Sequence, residues 1–192
     1  LLVHRGPDHQ STVRPNSTLA LGAARLAMTD PLPRSNQPFE KNGDWIVFNG
    51  EIYNFRELRR FLEAKGEVFR TQSDTEVLLK LYKCEGEAML TRLRGMFAFA
   101  IWDRQSCSLF MARDPYGIKP LYMAQCNKAW LFASQVKSLL ASGLVGSEPD
   151  PIGRAGFWLF GSVPEPRTWF SNITALSAGS WCKISKEGLL TG

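Results

Sequence analysis

Asn49, Gly50 and Glu51 follow directly on the apolar run Trp45-Ile46-Val47-Phe48. That order places a side-chain amide, a backbone N–H with no Cβ beside it, and a carboxylate at the end of an expected strand. An amide and an exposed N–H can together stabilise the oxyanion of a tetrahedral intermediate, and the carboxylate suits an ammonium group. Asn-Gly is also a common tight-turn signal, so the dipeptide alone leaves both roles open. A second carboxylate, Asp74, falls in the first turn of a helix opened by Ser73-Asp74-Thr75-Glu76, which reads as a capping box. It either complements the helix dipole or faces a site. Arg25 interrupts a mostly small, apolar stretch over residues 19–28. A cation there is costly to bury without an anion, so Arg25 either turns to solvent or holds a carboxylate.

The elements that must position these groups are legible in part. Residues 1–18 are polar and carry Gly6-Pro7, which predicts loop, and residues 19–28 predict a buried strand. Residues 44–48 predict a strand. Phe55, Leu58, Phe61 and Leu62 share one face of a helix over residues 54–65, with Asn54 as N-cap and Gly66 as stop. A short strand over 68–71 precedes the Ser73 helix, which runs to about Cys84. Residues 95–103 and 107–112 predict a hairpin, and 121–124 with 129–133 a second one around residues 125–128. A short helix follows over 134–141, capped by Ser134. Asp150-Pro151 opens another helix to about Phe160, Val163-Pro164-Glu165-Pro166 is extended, and residues 181–184 form the last strand. Hairpins mixed with helices, without regular βα alternation, indicate an α+β layered fold.

The chain has 192 residues, 44% hydrophobic and 21% charged, enough for one domain with a core. Its divisions read as a main domain over 1–147, a Pro-rich helix and extended segment over 148–170, and closing strands over 171–192. No apolar run is long enough to span a bilayer, so no membrane partner is expected, and neither a signal-peptide pattern nor an initiator Met opens the chain. The net charge of +5 is scattered, without a basic stripe interleaved with aromatics, so no nucleic-acid partner is expected either. Cys84, Cys107, Cys126 and Cys182 form no C-x-x-C pair and read as small buried hydrophobes in a reducing cytoplasm. With His4 and His9 the only histidines, no metal site is expected, and neither is a Ser-His-Asp or Cys-His relay.

Taken in order, His4-Arg5-Gly6-Pro7-Asp8, Arg25-Leu26-Ala27, Gln37-Pro38, Asn49-Gly50-Glu51-Ile52-Tyr53-Asn54 and Ser73-Asp74-Thr75-Glu76 form a specific set. It continues through Gly95-Met96-Phe97-Ala98, Arg113-Asp114, Gly117-Ile118-Lys119-Pro120-Leu121-Tyr122 and Phe132-Ala133-Ser134. The whole chain resembles the glutaminase domain of glutamine-hydrolysing asparagine synthetases, which are class II glutamine amidotransferases of the N-terminal-nucleophile type. The resemblance implies a four-layer αββα sandwich of two antiparallel sheets flanked by helices. It assigns Arg25 to the α-carboxylate of glutamine, Asn49 and Gly50 to the oxyanion hole, and Glu51 and Asp74 to the α-ammonium.

In that family the nucleophile is a cysteine at the mature N-terminus, acting with its own amine. The first cysteine here is Cys84, inside an expected helix. The resemblance therefore implies a fragment lacking its nucleophile segment and the C-terminal synthetase domain, inactive by itself. That absent domain is where ATP and Mg²⁺ are expected, to amidate aspartate with the released ammonia; the glutaminase domain itself implies no cofactor. Glutamine, the synthetase domain of the same protein and a homodimer mate are the implied partners. Two other readings stand beside this one: an amidotransferase for another carboxylate or sugar acceptor, and a non-catalytic scaffold. Gln135 stands where the family usually has Glu.

Overall fold

The computed structural model describes residues 2–127 and 129–192. Its centre is a six-stranded antiparallel sheet whose two faces are both apolar. The strands are β3 (Phe39–Lys41), β4 (Asp44–Ile52), β5 (Gly95–Asp103), β6 (Ser108–Arg113), β10 (Trp181–Ser185) and β11 (Gly188–Thr191), in the order β11-β10-β6-β5-β4-β3. Side chains alternate between faces with the period of two that a strand imposes. Ile46, Phe48, Ile52, Phe97, Phe99, Ile101 and Phe110 point to one side; Trp45, Val47, Ala98, Ala100, Leu109 and Met111 point to the other.

Helices α1 (Phe55–Ala64) and α2 (Asp74–Glu85) cover the first side. Leu58 and Leu62 of α1 and Val77, Leu78, Leu81 and Tyr82 of α2 are buried against the sheet. Each such side chain removed from water contributes about 1.5–3 kcal/mol, so this contact is the larger part of the core. The second side is covered by the hairpin β1 (His9–Asn16) and β2 (Leu19–Arg25), and by a three-stranded sheet of β7 (Tyr122–Cys126), β8 (Ala129–Ala133) and β9 (Thr174–Ala175) in the order β8-β7-β9. Leu21, Leu121 and Met123 fill the space between the β layers. Outside β7 and β8 lies α3 (Val136–Leu140), packed through Leu139. The layers thus run helix, sheet, sheet, helix, as the sequence leads one to expect, with the second β layer built from two separate pieces.

Helix α4 (Pro151–Phe160) begins at Asp150, whose side chain accepts from the Ile152 N–H. It meets the rest of the chain through its smallest residues. A Cβ on Gly153 would lie 2.3 Å from the Thr168 carbonyl oxygen, and one on Gly156 would lie 2.4 Å from Pro164 Cδ. The glycine face is buried, and Trp158, Leu159 and Phe160 are turned outward.

Several local expectations are corrected. Residues 9–16, expected as loop, form β1: the strand is polar on both faces apart from Val13, which hides its alternation. The strand expected over 19–28 stops at Arg25, and residues 68–71 pair with no strand. Residues 181–184 are not the last strand, because β11 follows. The side chain of Asn54 does not cap α1 but spans Arg92 and Arg94, donating to the Arg92 carbonyl and accepting from the Arg94 N–H. α3 starts after Gln135, without a Ser134 cap. Of the expected turn over 125–128, Lys128 lies outside the described residues. Of the four cysteines expected inside, Cys182 alone is buried, its thiol pushed up to about 11 by burial; Cys84 and Cys107 are exposed and Cys126 is half-buried.

Among the described residues no helix is long and apolar enough to cross a membrane, and no group of three or more His, Cys, Asp or Glu is placed to hold a metal ion.

Candidate functional site

Asn49, Gly50 and Glu51 lie inside β4, which extends past Phe48 to Ile52, and not in a turn at its end. They pair with Ala98, Phe97 and Met96 of β5 respectively. Phe97 spends both of its backbone groups on the side of β6. Its N–H donates to Asp114 Oδ2 at 3.2 Å, and its carbonyl accepts from the Asp114 N–H at 2.8 Å. Gly50, opposite Phe97, therefore belongs to a pair without mutual N–H···O bonds and turns its own N–H and C=O away from β5. On that edge the neighbouring donors are already satisfied: Phe48 N–H by Gln37 Oε1 at 2.7 Å, Ile52 N–H by Asp74 Oδ2 at 3.2 Å. The Gly50 N–H lies between them, and no side chain among the described residues accepts from it. The arrangement is a single open donor in an otherwise saturated edge, next to the Asn49 amide.

The sequence argument for glycine here was access for a ligand; the structure adds a different reason. Gly50 has φ +147°, and a Cβ on it would stand 2.1 Å from the Met96 carbonyl oxygen and 2.8 Å from Phe97 Cα. Gly95 answers from β5: its φ is +158°, and its Cβ would lie 2.2 Å from the Glu51 carbonyl oxygen. Two glycines let the strands approach at the point where the open N–H is presented.

Asn49 and Glu51 share the face of β4 that carries Val47, toward the layer of β1 and β2. Asn49 is half-buried, Glu51 is exposed, and neither side chain is hydrogen-bonded to another described residue. Arg25 ends β2 and is buried, but it neither turns to solvent nor bonds a carboxylate. Its Nη1 donates to Asn36 Oδ1 at 3.0 Å, and its Nη2 donates to the carbonyls of Thr29 at 2.9 Å and Asp30 at 2.7 Å. Nε is left without an acceptor among the described residues. Burial lowers the affinity of the guanidinium for its proton, while Asp30, Asp74 and Asp8 pull it back up.

Asp74 is also buried. Burial pushes its carboxyl above the usual carboxylate range, against the pull of the Ile52 N–H, the Thr29 and Ser73 hydroxyls and the Thr75 N–H. Half of the expected capping box forms. Ser73 Oγ accepts from the Thr75 N–H, but Glu76 turns instead to the N–H groups of Arg70 and Thr71 and to the Thr71 hydroxyl. Arg25 and Asp74 are joined through one residue, since Thr29 accepts from the former with its carbonyl and donates to the latter with its hydroxyl at 3.1 Å. Glu51 is bonded to neither.

Three supporting residues were given no role by sequence reasoning, although Gln37 and Asp114 stand in its motif set. Gln37 is buried; besides the Phe48 N–H it reaches Thr75 Oγ1 at 3.3 Å, tying the edge of β4 to α2. Asp30 ties the loop that holds Arg25 to the start of α2. Burial would push its carboxyl up, but the Gln72 N–H and Arg34 hold it below the usual range. Asp114 is fully buried and accepts from the N–H groups of Phe97, Tyr116, Ile118 and Lys119; burial opposes these donors, and they outweigh it, holding its carboxyl low. Gln37-Pro38 and Arg113-Asp114 were the available signals, and Asp30 had none.

Comparison with known proteins places this geometry in a family. Residues 1–191 match the glutamine amidotransferase domain. The chain is 42% identical over 193 residues to asparagine synthetase [glutamine-hydrolyzing] 1 of Bacillus subtilis, covering 100% of this chain and 30% of that protein. It is 38% identical over 207 residues to a putative asparagine synthetase [glutamine-hydrolyzing] of Mycobacterium bovis, covering 98% of this chain and 31% of the relative. It thus spans about 30% of the length of these relatives. Among solved structures, the glutamine phosphoribosylpyrophosphate amidotransferase of Bacillus subtilis superposes with a TM-score of 0.64 at 25% identity, covering 90% of this chain and 34% of that one. An α+β sandwich with this motif order and these matches identifies the chain as a member of the class II glutamine amidotransferase domain family.

Proposed function

We propose that this chain is the glutamine-binding part of an enzyme that hydrolyses glutamine and passes the ammonia to an aspartyl acceptor, as in an asparagine synthetase. The observation that carries the reading is the open Gly50 N–H beside the Asn49 amide, on an edge whose other donors are taken. Such a pair of neighbouring donors can stabilise the oxyanion formed when a nucleophile adds to the glutamine carboxamide. Arg25, with Nε unused, takes the α-carboxylate by charge-assisted bonding. Glu51 supplies an exposed carboxylate for the α-ammonium. Asp74 acts from beneath, its charge made more costly by burial until a cation arrives.

The nucleophile in this reading is a cysteine thiolate outside the 192 residues. Its thiol proton passes to the N-terminal amine, the sulfur adds to the carboxamide carbon, the C–N bond breaks, and ammonia leaves with the proton the amine had taken. Water then releases glutamate from the thioester. Isothermal titration of the 192-residue chain is expected to register glutamine binding with no ammonia released. Arg25→Met is expected to weaken that binding by about a hundredfold, roughly 3 kcal/mol for a buried charge-assisted pair. Wild-type affinity retained by Arg25→Met would remove the carboxylate assignment, and ammonia release by the chain would remove the assignment of the nucleophile.

A further inference from the structure

Three of the bonds that fix the Arg25 guanidinium come from one loop: the carbonyls of Thr29 and Asp30 and the side chain of Asn36. Two further bonds hold the loop: the Thr29 hydroxyl donates to Asp74 Oδ1 at 3.1 Å and the Ala27 N–H to Asp8 Oδ2 at 2.8 Å. Leu26, Met28 and Leu32 on it are exposed. Its tie to the backbone that leads into α2 is the Asp30 carboxylate, only 2% exposed, whose Oδ2 accepts from the Gln72 N–H at 2.6 Å and from Arg34 Nε at 3.0 Å. Gln72 immediately precedes the Ser73 cap and Asp74. Asp30 also sits at φ +45°, a conformation a side-chain-bearing residue adopts at some cost and keeps only when its surroundings hold it there.

We infer that Asp30 is a positioning residue for glutamine recognition: by clamping the 29–36 loop to Gln72 it fixes where the Arg25 guanidinium stands relative to Asp74. The inference rests on the glutamine-site reading above. Its physical content is that one carboxylate sets the spacing between the group for a ligand's carboxylate and a group for its ammonium. That spacing matters for an amino acid, because a displaced guanidinium loses the directed Nε–H bond before it loses charge attraction.

The test compares binding of L-glutamine and of L-glutaminol, in which CH₂OH replaces the carboxylate, by titration calorimetry on the full chain. Wild type is expected to prefer glutamine. Asp30→Gly relieves the positive φ and removes the clamp, and is expected to cut the glutamine-to-glutaminol affinity ratio about tenfold, the loss of one well-placed charge-assisted contact. Asp30→Asn tolerates the same φ and keeps an acceptor for the Gln72 N–H, and is expected to hold the ratio within about threefold of wild type. If Asp30→Gly does not fold, Asp30→Ser, whose hydroxyl is too short for the clamp, takes its place with the same expectation. An unchanged ratio in the clamp-less variant overturns the positioning role and leaves the glutamine site standing. Equal losses in Asp30→Asn and Asp30→Gly also overturn it. A wild-type chain that does not distinguish the two ligands overturns the carboxylate assignment and the positioning role together.

Discussion

Gly50→Ala is expected to destabilise the domain by at least about 4 kcal/mol, in the range kept for severe core lesions. Two costs add. The residue would carry a side chain at φ +147°, and its Cβ would overlap the Met96 carbonyl oxygen at 2.1 Å. That oxygen belongs to backbone in the middle of a six-stranded sheet, so no flexible side chain can give way. Relief requires β4 to separate from β5, which carry Ile46, Ile52, Phe97, Phe99 and Ile101 of the main core between them. Given a total stability of about 5–15 kcal/mol for a domain, most of the chain should lose its cooperative unfolding transition. Urea denaturation followed by far-UV circular dichroism reads this directly, and Gly95→Ala should behave alike. A midpoint within about 0.5 M of wild type, worth roughly 1 kcal/mol at typical slopes, would mean that the strands yield more easily than this geometry allows.

The second large effect is expected at Arg113, far from the candidate ligand groups in sequence. Its side chain is 4% exposed, and five N–H donors meet five acceptors. Nε donates to the Lys119 carbonyl at 2.8 Å, Nη1 to the Leu176 carbonyl at 2.7 Å, and Nη2 to the Gly117 carbonyl at 2.7 Å, while Glu165 is gripped by both terminal nitrogens at 2.9 Å. Arg113→Ala leaves three carbonyls and a carboxylate without their donors, and removing one partner of a buried charged network costs about 3–5 kcal/mol. Arg113→Lys should recover only part, because an ammonium has three donors and no planar fork. Glu165, with its side chain 45% exposed, can return to water, so Glu165→Gln is expected to cost about 1 kcal/mol or less. The same denaturation experiment separates the two explanations. Equal losses for Arg113→Ala and Glu165→Gln would assign the energy to the ion pair; the expected inequality assigns it to the carbonyls of the 117–119 and 176 segments.

The sequence disclosed the groups that bear chemistry better than it disclosed what holds them. Asn49, Gly50, Glu51, Asp74 and Arg25 stand out because their types conflict with their surroundings: a cation in an apolar strand, an amide and a glycine at the end of a hydrophobic run. Helices α1 and α2 were legible because their apolar faces repeat at helical spacing. The clamps left no such trace. Gln37 and Asp30 are ordinary polar residues in a proline-rich connector, and their partners, Phe48 and Gln72, are backbone donors that any residue type would supply. Asn54 and Glu76 were read as local caps because local partners are always in reach, whereas tertiary partners at Arg92, Arg94 and Arg70 won. β1 escaped notice because its edge position leaves little apolar alternation to read.

The chain carries two Asn-Gly pairs that are chemically identical and conformationally opposite. Asn42-Gly43 forms the two-residue turn between β3 and β4, with φ +56° and +86°, and Asn42 is exposed. Asn49-Gly50 is held extended within β4. Loss of ammonia from asparagine itself proceeds when the following backbone nitrogen closes a ring on the side-chain carbonyl, which a supple turn permits and a pinned strand resists. In the folded protein this loss is expected at Asn42, on its rim, while Asn49 is protected by its strand pairing. Only after unfolding do the two sites become equally perishable, so each excursion out of the native state carries a chance of writing a permanent negative charge into the position proposed above to receive an oxyanion.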